Sequence, residues 1–181
     1  MKKCLAILVL VLSACNPVDV VAPSYRDTSV PITSKAAFDP ARYAGTWYEI
    51  ARFPVPFQTG CRDVTATYTP MSNGGFHVVN TCQVDGAERQ IEGFADIVGP
   101  GRLRVSFETV PFVKAPYWVL WVDEDYQTAV VGVPSGRAGW ILNRSPVLRA
   151  DRLKAAREIL DFNGYDLNQL RMTLQREGGG G

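Results

Sequence analysis

From residue 45 to residue 144 the chain is a succession of short runs rich in β-branched and aromatic residues, each closed by turn-forming residues. This rhythm constrains the fold more than any other feature, because such runs form strands that must pair with one another. The runs fall at 45–53, 62–69, 76–83, 89–98, 102–109, 117–123, 128–133 and 138–144. Ser72-Asn73-Gly74-Gly75 separates the second run from the third, and Asn and Gly tolerate the positive φ of a tight hairpin. Gly99-Pro100-Gly101 separates the fourth from the fifth. Eight strands joined by mostly short connections predict an all-β fold: an eight-stranded antiparallel up-and-down barrel, whose closure removes exposed edges.

Side chains alternate along these runs. Val64, Ala66 and Tyr68 share one face of the second strand, and Asp63, Thr65, Thr67 and Thr69 share the other. In the fifth strand Leu103, Val105 and Phe107 oppose Arg102, Arg104, Ser106 and Glu108. The run Tyr117 to Val122 is apolar on both faces, so another element must cover its outer side. A candidate follows the strands. Leu153, Ala156, Ile159 and Leu160 form an apolar stripe opposite Arg152, Lys154, Arg157 and Glu158, and Gly164 suits the residue just past a helix end. One C-terminal helix is therefore expected to pack outside the barrel, followed by an extended segment over 166–175.

The formal net charge is only +1, and no long basic stripe occurs, so no nucleic-acid partner is expected. Lys2 and Lys3 precede an apolar run, Leu5 to Leu12, too short to span a bilayer but long enough for a signal-peptide core. The run ends in Leu12-Ser13-Ala14-Cys15, which resembles the lipobox of bacterial lipoproteins. That resemblance implies a signal peptide over 1–14, acylation of Cys15, and attachment to a membrane through the lipid, since more than one acyl chain gives stable anchoring. Asn16, in place of Asp, implies the outer membrane by resemblance to enterobacterial sorting, and a periplasm-facing position is expected there, with the leaflet left open. Pro17, Pro23 and Pro31 lie in a stretch without sustained period, so 15–37 is expected to be the lipidated cysteine and a linker. The domain then spans 38–175, and 176–181 is a flexible tail.

Cys61 and Cys82 remain in a chain bound for an oxidising compartment, where a disulfide is the default. Their spacing is not CxxC and His77 is the sole histidine, so no metal site is expected. A turn centred near residue 73 would set Cys61 opposite residue 84 or 85, so the bond needs a bulge or an offset.

A more specific resemblance lies in Arg42-Tyr43-Ala44-Gly45-Thr46-Trp47-Tyr48-Glu49-Ile50-Ala51-Arg52-Phe53, which carries the G-x-W signature of lipocalins. Asp123-Glu124-Asp125-Tyr126 with Ala129-Val130-Val131 is similar to the family's second motif, and Trp140-Ile141-Leu142-Asn143-Arg144-Ser145-Pro146 to its third. Ala115-Pro116-Tyr117-Trp118 adds a likeness to apolipoprotein D, and the family likeness covers roughly 38–175. It implies that Trp47 sits at the closed end of the barrel with Arg144 packed across it, both of them structural. It also implies a lumen that holds a hydrophobic ligand.

Anchored on Tyr68, alternation places Val64, Ala66, Phe76, Val78, Asn80, Phe107, Tyr117, Trp140 and Leu142 inward. The resemblance supports Tyr68, Asn80, Phe107, Tyr117 and Trp140 individually. All of these but Phe76 are taken as ligand-binding residues. The apolar loops 54–60 and 110–116 would border the open end, where Lys114 and Arg62 could meet an anionic head group. The expected ligand is a fatty acid or lysophospholipid, stored or transported in the cell envelope, with no cofactor. No catalytic signature is present, so an enzyme is not expected. An enzyme acting on a lipophilic substrate in the lumen and an envelope scaffold are the alternatives, and the sequence leaves the oligomeric state open. Replacing Cys15 by Ser is expected to move the protein from the membrane fraction to the soluble one. Retention after an alkaline wash would count against an acyl anchor.

Overall fold

The computed structural model describes residues 23–109 and 113–176. The signal peptide, Cys15 and the glycine tail therefore lie outside the described residues, as do Val110, Pro111 and Phe112.

Eight strands follow one another around a closed barrel: β1 (Gly45–Arg52), β2 (Arg62–Pro70), β3 (Phe76–Val84), β4 (Ala87–Gly99), β5 (Arg102–Phe107), β6 (Ala115–Val122), β7 (Thr128–Gly132) and β8 (Gly139–Asn143). Each pairs antiparallel with the next, and β1 pairs with both β2 and β8, which closes the sheet. The helix α2 (Ala150–Phe162) packs outside, against β7. A last short strand, β9 (Arg171–Met172), adds to the free side of the end of β1. The barrel and its outer helix agree with the sequence expectation. The strand ends move by at most two residues, as where β6 begins at Ala115 and β5 stops at Phe107.

Four places where the register shifts break the simple alternation, at Glu49/Ala51, Arg62/Thr65, Ile97/Gly99 and Val119/Trp121. The last of these explains the doubly apolar run in β6. Val119 and Val122 join the core inside the barrel, while Trp118, Leu120 and Trp121 belong to a second core on its outside. Ala156 and Leu160 of α2, with Tyr165 and Leu170, cover that outer face. Gly164, at φ +84°, ends the helix as expected.

Two features were not anticipated. The stretch 23–37, read as linker, is tied to the barrel. Tyr25 donates its backbone N–H to Gly136 O and Lys35 donates to Val119 O. Arg26, only 7% exposed, donates to the carbonyls of Asn163 and Pro134. Its anchoring is backbone hydrogen bonding around one buried arginine, which leaves no period in the sequence. A short helix, α1 (Pro40–Tyr43), precedes β1, and the Asp39 side chain caps it by accepting from the N–H groups of Ala41 and Arg42.

The closed end is built by Arg144. Its guanidinium lies 3.7 Å from the centroid of the Trp47 ring. Nη1 donates to Thr46 O at 2.8 Å, Nη2 to Ala44 O at 2.7 Å and Arg42 O at 2.9 Å, and Nε reaches Tyr126 O at 3.3 Å. Trp47 donates its indole N–H to Tyr43 O at 2.8 Å. Gly45 takes φ +96°, and a side chain there would crowd Nη1, so this position of G-x-W requires glycine. Arg144→Met is expected to keep the volume but lose the cation–π contact and leave these carbonyls without their donor. That should lower stability by about 2–4 kcal/mol, read as a shift of the urea midpoint at constant m-value.

Candidate functional site

The barrel interior is the site that the fold builds. Above Trp47 the lumen is lined by Tyr68 and Val78 from β2 and β3, Ala95 from β4, Leu103 and Val105 from β5, Val119 from β6, Val131 from β7 and Leu142 from β8. These side chains are buried. Towards the mouth, Ala66, Asn80, Phe107, Tyr117 and Trp140 are only half-buried. Cross-strand pairs confirm the shared face: Ala66 opposite Asn80, Tyr68 opposite Val78, Leu103 opposite Tyr117, and Ala129 opposite Leu142. The structure thus brings Ala66, Tyr68, Val78, Asn80, Phe107, Tyr117, Trp140 and Leu142 together around one lumen. Val64 lies at its edge, in a small separate cluster with Cys61, Cys82 and Val84.

That cluster holds the disulfide. Cys61 and Cys82 are bonded, with Cα atoms 5.4 Å apart. The required offset comes from the register shift between Arg62 and Thr65, where Asp63 takes φ +51°. Lys114 pairs with Asp96 at 3.1 Å on the barrel exterior, and Arg62 is exposed. Two shallow concavities, one at Phe94 and Lys114 and one on α2 at Leu153 and Leu167, lie outside the barrel.

Two polar clusters inside the barrel add Tyr43 and Glu49, which were not among the expected site residues. Deep in the lumen the hydroxyls of Tyr43, Tyr68 and Tyr117 meet. Tyr68 donates to the Tyr117 oxygen at 2.8 Å, and the Tyr43 and Tyr117 oxygens are 2.8 Å apart. Burial pushes the Tyr68 hydroxyl up to about 12 and raises those of Tyr43 and Tyr117 well above the usual tyrosine range. Strand alternation carries no signal for Tyr43, which comes from α1, four residues before Trp47, and not from a strand.

The second group lies on the mouth side. Glu49 is 3% exposed and pairs with Arg52 and with the Thr173 hydroxyl. Its other oxygen accepts from Gln58 Nε2 at 2.7 Å, and Gln58 Oε1 accepts the Trp140 indole N–H at 3.1 Å. Arg52 also donates to the carbonyls of Gln58 and Cys61. Every member is satisfied, which is the condition for a buried ion pair to persist. The parity of Glu49 with Trp47 in β1 was a usable signal for its inward direction.

A lipocalin-like domain matches residues 38–175. The chain belongs to the lipocalin family. This lipocalin is 36% identical over 174 residues to the outer membrane lipoprotein Blc of Escherichia coli K12, covering 93% of this chain and 97% of that one. It is 39% identical over 146 residues to temperature-induced lipocalin-1 of Arabidopsis thaliana, with 75% and 78% covered. Apolipoprotein D of Macaca fascicularis is 34% identical over 158 residues, with 82% of each covered. Among solved structures, insecticyanin from the tobacco hornworm superposes with a TM-score of 0.67 at 21% identity, over 83% of this chain and 86% of that one, which shows the shared fold. Members of the family bind small hydrophobic ligands.

The tyrosine cluster makes stability sensitive to alkali. Tyr43, Tyr68, Tyr117 and Tyr165 all have raised folded-state values. Their stabilisation is complete below the unfolded value of about 10 and is lost as pH rises through the folded values. Each is expected to remove up to about 1.4 kcal/mol per pH unit above pH ~10. Urea unfolding followed at several alkaline pH values checks this. A flat dependence up to pH ~12 would show that these hydroxyls are not buried as described.

Proposed function

We propose that the lumen binds one long acyl chain, as a fatty acid or lysophospholipid, and that this lipocalin stores or carries it in the cell envelope. The observation that carries this reading is the continuous apolar and aromatic inner face, blind at Trp47 and half-open at Trp140. A chain lying along it is driven in by burial at about 25 cal/mol per Å² of apolar surface. Highly polar ligands would lose hydration without compensation along most of that face. Ala66, Tyr68, Val78, Asn80, Phe107, Tyr117, Trp140 and Leu142 are the proposed contacts, with Val64 at the rim. Cys15 is proposed as the acylated anchor that keeps the mouth near a membrane, in the outer membrane facing the periplasm. The likeness to an outer membrane lipoprotein supports that placement. No helix among the described residues is long and apolar enough to cross a membrane, so attachment through lipid is the route the reading uses. A catalytic alternative built on the Cys82 thiol is disfavoured, because that sulfur is bonded to Cys61.

Hexadecanoic acid or a lysophospholipid titrated into the protein is expected to change tryptophan fluorescence saturably. Trp140 faces the half-open lumen, Trp47 is fully buried at its floor beneath the Arg144 guanidinium, and Trp118 and Trp121 lie on the barrel exterior. Trp140→Phe should therefore remove most of the signal while calorimetric binding persists. Ala66→Phe, which adds a ring beside Trp47 and Asn80, should weaken binding by about tenfold or more with the melting temperature nearly unchanged. Absence of saturable binding to any acyl lipid would overturn the carrier reading.

A further inference from the structure

We propose that the mouth of the barrel docks on the bilayer that holds the acyl anchor, so that a ligand passes between lumen and membrane without crossing water. This rests on the carrier reading and on acylation of Cys15, and adds which end of the molecule meets the lipid and through which side chains. The tether joins the barrel at the mouth. Pro23, where the described chain begins, stands eight residues after Cys15. Two residues on, Tyr25 is fastened to two mouth loops at once. Its N–H donates to Gly136 O of the β7–β8 loop at 2.8 Å, and its hydroxyl donates to Pro54 O of the β1–β2 loop at 2.7 Å. The Tyr25 ring also stacks on Phe53 at 5.3 Å. From there the chain runs down the outside of the barrel, through Ile32 in the outer core, to Ser34, which donates to Pro100 O in the β4–β5 turn at the closed end. In any conformation, eight residues reach at most about 28 Å. Nine-residue strands such as β2 and β3, at ~3.3 Å per residue and tilted by about 40°, raise the barrel wall by about 23 Å. The closed end could therefore face the membrane only with the tether stretched along nearly the whole wall. The mouth faces it from where the tether starts.

Exposed apolar side chains gather at the same end. Phe57, in the β1–β2 loop, is 67% exposed, and Leu174, whose carbonyl accepts from Asp63 near the start of β2, is 75% exposed. Met172, opposite Ala51 at the end of β1, is exposed beside them. Across the mouth, Val113 is exposed in the β5–β6 loop. Phe162 is exposed at the mouthward end of α2, next to Asn163, whose carbonyl shares the Arg26 guanidinium with Pro134 of the β7–β8 loop. Among the described residues the other exposed large apolar side chains are Phe94, midway along β4, and Val98 and Val147 towards the closed end. Most of this surface thus lies around one rim, where an apolar layer can cover it. Exposed charges of both signs share that end, Arg62 and Arg171 with Asp85 and Asp161, so the attraction is apolar and needs no anionic lipid.

The test uses the mature acylated protein, purified from the membrane fraction and reconstituted on phosphatidylcholine vesicles. Single nitroxide labels are attached through Phe57→Cys, Leu174→Cys and, at the closed end, Val147→Cys. Electron paramagnetic resonance then compares their relaxation by oxygen, which enters lipid, with that by a water-soluble nickel chelate. The labels at Phe57 and Leu174 are expected to respond to oxygen and be shielded from nickel, in high salt as in low, while the label at Val147 responds to nickel. Equal access of nickel to all three would overturn the docking and leave the carrier reading standing. Shielding of the Phe57 and Leu174 labels from both reagents would show a protein surface over the rim, such as a second copy of this chain, and would overturn it as well. The route is read separately, from the rate at which an anthroyloxy-labelled octadecanoic acid dissolved in the vesicles loads the protein. The combined Phe57→Ser, Leu174→Ser variant is expected to load about tenfold more slowly at unchanged equilibrium affinity. Equal rates would overturn direct passage. If the wild type binds no fatty acid at all, the carrier reading and direct passage fall together, and the labels alone decide the docking. Absence of the protein from the membrane fraction would remove the anchor, and the docking with it.

Discussion

The guanidinium of Arg144 is the tie on which the closed end of the barrel depends. It comes from the residue just past β8 and reaches back to carbonyls in α1 and at the start of β1, so one side chain joins the two ends of the strand succession. Lying over Trp47, it presses the indole into the base of the lumen, and Trp47 in turn is held by the Tyr43 carbonyl. The lumen is blind for this reason. The same tie fixes α1, and α1 delivers Tyr43 into the interior. Floor and tyrosine cluster are therefore one assembly: a change in the clamp that lets α1 move also moves a hydroxyl inside the lumen.

The barrel was legible because its signals are local and repeated. Turn residues fall between runs of fixed kind, and a strand with one buried face alternates. The stripe Leu153, Ala156, Ile159 and Leu160 was legible for the same reason, and so was the need for a cover over β6. What could not be read depends on partners far apart in sequence. Arg26 looks like a charge in a proline-spaced linker, yet it is buried because carbonyls of Pro134 and Asn163 converge on it. Glu49 alternates inward, but nothing in β1 announces that Gln58, Arg52 and Thr173 will satisfy it. Bulges are equally silent in the sequence. The shift in β6 moves Trp121 to the outer core, and the shift in β2 is what lets Cys61 reach Cys82.

These hidden contacts gather at one corner of the mouth, where the sheet itself gives way. The pairing of β1 with β2 runs from Gly45 opposite Tyr68 to Tyr48 opposite Thr65. Beyond Tyr48 the two strands part, and β9 takes the vacated side of β1, with Ala51 opposite Met172. A gap opened in this way would leave backbone groups unpaired, which is costly in a buried wall. The C-terminal segment fills it. Thr173 donates to Ile50 O, Asp63 donates to Leu174 O, and the Gln175 amide donates to Glu49 O and Val64 O, one carbonyl on each parted strand.

The ion pair and the disulfide belong to that same corner and are best understood together with the gap. Glu49 and Arg52 lie on the stretch of β1 that has lost β2 as a neighbour, and their side-chain bonds to Thr173, Gln58 and Cys61 replace ladder bonds as cross-links. A buried ion pair adds little net stability over a packed apolar pair, but breaking one partner leaves an uncompensated charge. It therefore works as a register pin: the corner fits together only when the loop, β1 and the C-terminal segment all meet. The disulfide acts on the other side of the gap. Closing a loop with a sequence separation of 21, it removes about 3 kcal/mol of unfolded-chain entropy on the loop model and holds the start of β2 to the end of β3. The rim of the lumen is thus kept in shape where hydrogen-bonded sheet no longer suffices. That leaves the half-buried faces of Ala66, Asn80 and Trp140 in fixed positions beside an opening that would otherwise splay.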